Sequence, residues 1–456
     1  MNNFRNVNNT VNAFLARHGM VNPNINFVID GLLYDMQKGL DEGPGLSGMD
    51  ASQEMIPTWT NPPKKTPKNQ SVIVIDAGGT NFRSSLVTFD ADGNPTISKL
   101  EKTSMPGIDH ELSKKEFFDT IAANLDHLKN KSAYIGFCFS YAMEMTPDGD
   151  GKVINFSKEI KAKEVIGSLV GASLSDALVA RGWNRPKKII MLNDTVAALL
   201  AGAATENGER SYSSYIGFIL GTGMNAAYIE SDSIKKLEGI KDSAGNPPPL
   251  SQIIVCESGL YNKIYRSDFD NEFDKTTNTP GRYVTEKMCS GAYLGPVATL
   301  VIRSACSEGL FSDAFVSKFN EDFNQNNYFD AYDMDQFLYK PAKKNTKLGA
   351  IVATGSERDA ATLAALLDAV INRSASLATA LIASAVIKSG KGTNPAKPVC
   401  INCDGTTFYK THNLNARIRG NLDQILTQQR HLYFEIVSIE NDITLGSAVA
   451  AAVNAN

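Results

Sequence analysis

The stretch that decides the fold is VIVIDAGGTNFRSSLVTFD, Val72 to Asp90. Four apolar residues, Val72 to Ile75, run into Asp76, then Ala77, Gly78, Gly79, Thr80 and Asn81, and a second strand-like run follows. A tight hairpin needs only two residues of this permissive kind. The acid at the mouth and the further polar groups therefore ask for a reason beyond turning the chain. Glycines let backbone N–H groups converge without Cβ atoms in the way, and Thr80 adds a hydroxyl. Such a nest suits phosphate oxygens, although an ordinary turn explains one such hairpin taken alone.

The design occurs twice. SSYIGFILGTGMNAAYIE, Ser213 to Glu230, is again strand, glycine turn and strand, about 140 residues further on. Two related hairpins suggest a duplicated α/β unit, with the hairpins facing each other across a cleft. The second turn, GTGMNA, also matches the GxGxxA form of the dinucleotide fingerprint. That fingerprint must open a helix, and here the short strand-forming run AAYIE follows instead. There is no Walker A motif either, because SGKGT (Ser389 to Thr393) lacks the upstream glycine.

A chain of 456 residues is too long for one ordinary core, so two or three domains are expected. Hydrophobic content of 43% and aromatic content of 8% fit a soluble globular protein. The net charge of −4 leaves no basic footprint for nucleic acid and no cationic face for a membrane. No apolar run reads as the ~18 residues of a membrane helix, and none is flanked like a signal peptide. The Asn-rich start reads as an amphipathic surface helix rather than a transit peptide. The six cysteines are spread widely and make no disulfide framework. Cys400 and Cys403 form a CxxC within the strand-like KPVCINCDG, with no second pair or histidines for zinc. Free thiols in a reducing cytoplasm are expected, and with them a cytoplasmic location.

The Pro-rich NPPKKTPKNQ, Asn61 to Gln70, separates a helical N-terminal segment from the first strand. KKIIML, Lys187 to Leu192, reads as a buried strand, and the run from Asp194 as a helix. Asn193 and Asp194 thus sit between a strand end and a helix start, either as a plain N-cap or as a carboxylate presented to the cleft. Beyond Lys347 the pattern predicts two helices across about Ala360 to Ser389. It then predicts a strand, a turn at CDGTT, a helix, the strand YFEIVSI and an Ala-rich helix from Leu445.

In this order the segments MIPTW, IDAGGTNFR, IGFCFSYA, FSKEI, MLNDTVA, ILGTGMNAAYIE, CESGLYN, TEKMCSGAYLG, INRSASLA and CDGTTFYKTH resemble the hexokinases, within the sugar kinase, actin and Hsp70 superfamily. The resemblance runs from about Leu33 to the C-terminus. It implies a duplicated actin-like (ribonuclease H-like) two-domain α/β fold with an interdomain cleft. The smaller domain is placed at residues 67–192 plus 445–456, the larger at 1–66 plus 193–444.

The same resemblance implies ATP-dependent phosphorylation of a hexose, glucose foremost, at its C6 hydroxyl, with Mg²⁺ accompanying ATP and no protein-held metal. Asp194 becomes the general base, and Lys158 a point charge near the transferring oxygens. Ser140, Ser157, Lys158, Asn193, Asp194, Asn225, Glu257 and Glu286 match the sugar-contacting positions. Asp76, Gly78, Gly79, Thr80, Asn81 and Arg83 belong to the first phosphate turn; Gly221, Thr222 and Gly223 to the second. Asp404, Gly405 and Thr406, with helices carrying Thr354, Gly355 and Ser374, should flank the nucleoside. Three departures from the family pattern stand out: FSYA in place of FSFP, FSKEI in place of WTKGF, and CESG at the first glutamate. They alter the walls around the sugar hydroxyls and remove no catalytic group. A catalytically silent sugar sensor and a protein-directed ATPase are the rival readings.

Overall fold

The computed structural model describes residues 2–45, 49–60, 67–78, 80–156, 160–204, 210–324 and 327–453, with side chains from residue 6 onward. It contains two main sheets. The first comprises β2 (Gln70–Gly78), β3 (Asn81–Phe89), β4 (Pro95–Ser104), β5 (Tyr134–Phe139) and β8 (Lys188–Leu192), in the order 4-3-2-5-8. The second comprises β1 (Ile56–Pro57), β9 (Ser214–Leu220), β10 (Met224–Glu230), β11 (Gln252–Val255), β12 (Val399–Asp404) and β13 (Phe434–Val437), in the order 1-11-10-9-12-13. A separate hairpin pairs β6 (Ala142–Met145) with β7 (Gly151–Asn155).

The duplication suggested by the two glycine turns extends to whole sheets. In each, a hairpin strand pairs antiparallel with its partner and parallel with the strand that follows: β2 with β3 and β5, β9 with β10 and β12. A third parallel strand then joins, β8 in one sheet and β13 in the other.

Strand periodicity decides which side chains go where. On β2, Ile73 and Ile75 face outward, where Phe117, Ile121, Leu174 and Leu178 cover them from two helices. Val72 and Val74 face inward, to a core shared with residues of the second sheet such as Ala227 and Ile253. On β9, Ile216 and Phe218 face the outer core built on helices Asn2–Arg17, Ile25–Asp41 and Glu357–Lys388. Both faces of these strands are covered, which is why they read as unbroken apolar runs.

Two helices fill the inner layer, and they are exchanged. Helix Asp194–Ala204 follows β8 of the first sheet yet packs on β9 and β12 of the second. Helix Asp442–Val453 follows β13 of the second sheet yet packs on β2 and β5 of the first, and the two helices pack on each other. Each lies on its sheet so closely that one strand residue must be glycine. A Cβ at Gly217 on β9 would fall 2.0 Å from the Thr195 carbonyl oxygen, and one at Gly136 on β5 would fall 2.1 Å from that of Ser447.

Two expectations are corrected here. The region predicted as two helices is one helix of 32 residues, Glu357–Lys388. The polar side chains of Arg373 and Ser374 in its middle find partners within the core. Arg373 donates from Nη1 and Nη2 to the two oxygens of Asp270 at 2.6 and 2.8 Å, and the Ser374 hydroxyl donates to the Cys289 carbonyl at 2.8 Å. This helix is also long and apolar enough, by length and composition, to cross a membrane, contrary to the expectation that no run would be. Its apolar window is 89% buried inside the molecule, which makes it the central helix of the outer core. All six cysteines are buried free thiols.

Candidate active site in the cleft

A cavity of about 390 Å³ lies where the ends of both sheets meet, and Ser140, Asn193, Asp194, Asn225, Glu257 and Glu286 line it. Ser140 follows β5, and its amide donates to the Ala77 carbonyl on β2 at 3.0 Å. Gly78 allows this approach, since a Cβ there would lie 3.1 Å from that of Ser140.

Asn193 and Asp194 combine the two roles left open by the sequence. The Asn193 Oδ1 accepts from the Thr195 amide at 2.9 Å and from its hydroxyl at 2.5 Å. Asp194 Oδ1 accepts from the same amide at 2.8 Å, while the residue lines the cavity. Burial pushes its carboxyl up to about 6; the Thr195 amide opposes this, and the charges of Asp76 and Asp404 add to it.

The opposite wall carries Glu257, just beyond β11, in the left-handed backbone region at φ +54°. A non-glycine residue held there is strained and commonly functional. Asn225 on β10 holds it: the amide Nδ2 donates to Glu257 Oε1 at 2.8 Å, and Oδ1 accepts from the amides of Ala226 and Ser258 at 2.8 and 3.2 Å. Burial raises Glu257 to about 8, with Glu54 and Asp194 adding to the shift and Asn225 opposing it. Glu286 accepts the Met224 amide at 3.0 Å, and burial raises its carboxyl too. It fits only because Gly223 is bare, as a Cβ there would sit 2.8 Å from Glu286 Oε2.

The raised Glu257 makes a pH prediction. Its ordinary value is 4.5, so between pH 4.5 and 8 the folded protein holds a proton that the unfolded chain releases. Stability is therefore greatest below the lower value and falls until about pH 8. Glu257→Gln removes this titration. In thermal melts without ligand, the Tm of this variant should exceed wild type at pH 8, by a margin that shrinks at pH 5. An equal margin at both pH values would remove Glu257 as the source.

Beside the cavity, three further carboxylates, Asp76, Asp404 and Asp442, lie within one another's or Asp194's electrostatic field. Asp76 lies near the end of β2, where Arg83 donates to it at 3.2 Å; burial raises its carboxyl, Arg83 opposes this, and Asp404 adds to it. Asp404 ends β12. Asp442 begins the last helix, accepts from Asn402 Nδ2 at 2.9 Å and the Ile443 amide at 2.8 Å, and is raised to about 7 by burial, then by Asp404. The second glycine turn is pinned by its carbonyls. Gly221 accepts from the Gly291 amide at 2.9 Å and the Thr407 hydroxyl at 2.8 Å, and Thr222 accepts from the Ser290 hydroxyl at 2.8 Å.

Comparison with known proteins gives this arrangement a family. A model described as hexokinase matches residues 10–204, and a second, also hexokinase, matches 215–453, more than half of the chain by itself. The chain belongs to the hexokinase family. Hexokinase-1 of Schizosaccharomyces pombe is 29% identical over 307 residues, covering 64% of this chain and 60% of that protein. Human Hexokinase-1 is 26% identical over 383 residues, covering 79% of this chain and 40% of that one. The matches thus span no more than 60% of these relatives' length. Among solved structures, hexokinase from Schistosoma mansoni complexed with glucose matches with a TM-score of 0.73 at 23% identity, covering 98% of this chain and 99% of that one. Another crystal structure of hexokinase gives 0.75 at 20% identity, covering 99% and 100%. At these identities the structures establish the fold, which is the two-domain actin-like one.

Within this hexokinase-family chain, the residues expected at the site are unevenly placed. Ser140, Asn193, Asp194, Asn225, Glu257 and Glu286 share one cavity, while Ser157, Lys158 and Gly79 lie outside the described residues. Thr80 and Asn81 turn the first hairpin. Gly223, expected at the phosphates, lines the cavity beside Glu286. Gly405 takes φ +115° against the Leu220 carbonyl, and Thr406 is exposed at the start of helix Thr406–Lys410. Thr354 and Gly355 lie in the turn before the long helix, where the Thr354 hydroxyl donates to the Ile351 carbonyl at 2.7 Å. Ser374 lies on the long helix. Its side chain is fully buried against Cys289 and reaches no open surface.

Sequence reasoning missed Asp442, and also Glu54, Arg282 and Tyr283 in the cavity wall. The signal for Asp442 was present in the duplication. It opens the exchanged helix of its half just as Asp194 opens the other.

Proposed function

We propose that this chain transfers the γ-phosphoryl group of ATP to the C6 hydroxyl of a hexose, with glucose as the foremost substrate and Asp194 as general base. The observation that carries this reading is the convergence of Asp194, Asn225, Glu257 and Glu286 on one cavity, with Gly223 of one glycine turn in its wall and Gly78 of the other against Ser140. A hexose offers only hydroxyls and a ring oxygen, and carboxylates and amides fix hydroxyls by short hydrogen bonds. A carboxyl titrating at about 6 is mostly ionised at pH 7 and accepts the hydroxyl proton as the oxygen attacks phosphorus. The remaining need is for positioning and charge neutralisation.

Magnesium accompanying ATP supplies that neutralisation, and Asp76 and Asp404 are the residues that would face it. The fit is chemical: each of these carboxylates stands in the field of another, which a cation relieves. Among the described residues no three ligating side chains gather tightly enough to hold an ion alone. An ion arriving on the nucleotide phosphates would keep water in its shell. The glucose in the Schistosoma mansoni relative supports a hexose as the acceptor.

ADP release measured across hexoses, hexosamines and phosphoryl donors tests the reading, with glucose-dependent release and hexose 6-phosphate as the expected result. Sugar binding without turnover would make the chain a sensor, and hydrolysis of ATP indifferent to every sugar would overturn the assignment. Glu286→Ala should weaken hexose affinity roughly 10–100-fold, the worth of a charge-assisted hydrogen bond, with nucleotide affinity unchanged. Calorimetry on the two ligands separately checks this, and unaltered sugar affinity would displace Glu286 from the pocket.

A further inference from the structure

The connection from β10 to β11, residues 231–251, is long for two strands paired antiparallel. Connections beyond about 12–15 residues are uncommon in compact domains and commonly carry function. It starts firmly in the half of the molecule built on the second sheet. Ile234 and Leu237 enter the outer core, and Lys236 Nζ donates to the Glu54 and Met55 carbonyls at 2.9 and 2.6 Å. Glu54 and Ile56 line the cleft cavity, so this anchor holds a segment of that wall.

The tip of the connection is a closed turn. Asp242 accepts the Asn246 amide at 2.7 Å and its Nδ2 at 2.8 Å, and the Gly245 amide donates to the Asp242 carbonyl at 3.0 Å. The turn presents Ser243 to Asp148, which belongs to the other half. Asp148 Oδ1 accepts from the Ser243 amide at 3.1 Å and from its hydroxyl at 2.6 Å. Asp148 is held in its turn between β6 and β7. There the Gly149 amide donates to the Thr146 carbonyl at 2.9 Å, and the Asp150 amide to the Thr146 hydroxyl at 3.0 Å. Asp150 also accepts the Gly171 and Ala172 amides at the start of helix Val170–Ala180, at 2.7 and 2.9 Å. The hairpin sends Met143 and Val153 into the core of the first sheet, and Met145, Ile154 and Asn155 line the cavity. Two turns, each fixed by its own hydrogen bonds, thus meet at one carboxylate, and each continues into a wall of the same cavity. A charged acceptor taking two donors outweighs a neutral contact, and little ordering is needed to make it.

We propose that Asp148 and Ser243 are positioning residues of the cleft: their bridge joins its two walls and sets the spacing at which Asp194 and Glu257, from opposite sides, meet one ligand. The effect on a sugar rests on the reading of the cavity as a hexose site. Neither residue lines the cavity, so each acts on a sugar only through the spacing of the walls. When the bridge is lost, the fraction of molecules with both walls in place falls, and apparent sugar affinity falls with it. A saturating sugar restores the spacing, so turnover at saturation is kept.

The test compares Asp148→Ala, Ser243→Ala, the double variant and Asp148→Asn, all at exposed positions. Small-angle scattering without any sugar should give a larger radius of gyration for Asp148→Ala than for wild type. The KM for glucose should rise about 3–10-fold in Asp148→Ala, the worth of a charge-assisted contact at the surface, while kcat is kept. Asp148→Asn retains an acceptor oxygen and should recover most of the loss. The double variant should be no weaker than Asp148→Ala, because one bridge is lost in both. An unchanged radius of gyration in Asp148→Ala would overturn the proposal. So would single-variant effects on KM that add in the double variant, since the two side chains would then act apart. A larger radius in Asp148→Ala, with a wild type indifferent to every hexose, supports the bridge and overturns the sugar reading instead.

Discussion

Asp194→Asn is expected to lower kcat by about 10²–10⁴-fold, the usual worth of a general base, while hexose affinity stays close to wild type. The amide keeps an oxygen to accept the Thr195 N–H, now at 2.8 Å, so the helix start should survive. The amide also still hydrogen-bonds a sugar hydroxyl. What it loses is the ability to take a proton. Asp194 titrates at about 6 in the free protein because burial and two neighbouring acids disfavour its charge. The kcat/KM of the wild type should therefore fall as pH drops through 6, and the residual activity of the variant should lack that limb. Activity within threefold of wild type at neutral pH would remove Asp194 from the chemistry.

The second large effect should come from a position that touches no substrate. Gly217→Ala adds one methyl group, but that Cβ would stand 2.0 Å from the Thr195 carbonyl oxygen and 2.8 Å from the Leu199 amide nitrogen. Both are backbone atoms of one helix and cannot rotate away. The helix must back off from β9, and its first residue is Asp194. Overpacking of this kind costs roughly 1–3 kcal/mol or more, so Tm should fall by roughly 2–6 °C, and kcat should fall with it as the base is displaced. Gly136→Ala meets the Ser447 carbonyl in the same way at 2.1 Å and should lose comparable stability. Gly420, in an exposed helix with nothing near its Cβ direction, is the control: alanine there should be neutral or stabilising. Equal melting of Gly217→Ala and wild type would mean that the helix and sheet are not in the contact described.

The two hairpins were legible because their information is local. An unbroken apolar run, a bare turn and an acid at the mouth all fall within twenty residues, and the design recurs within the same chain. Glu257 and Glu286 came only through the resemblance, since nothing in CESG or TEKM by itself marks a sugar-facing acid. The long helix was read as two, and the polar residues in its middle, Arg373 and Ser374, are held by partners far off in sequence, Asp270 and Cys289. The acids Asp404 and Asp442 share one field only because two distant strands finish side by side. That is tertiary information, which no window along the chain contains.

The exchanged helices also have a consequence for synthesis. The inner faces of β2 and β5 are covered by helix Asp442–Val453, which leaves the ribosome roughly 370 residues after β2 does. At ~5–20 residues per second that interval is tens of seconds. During it Val72 and Val74 have no permanent cover, and the first sheet waits as an unfinished layer that a chaperone or a second nascent chain can engage. The half of the molecule made first is therefore the half completed last.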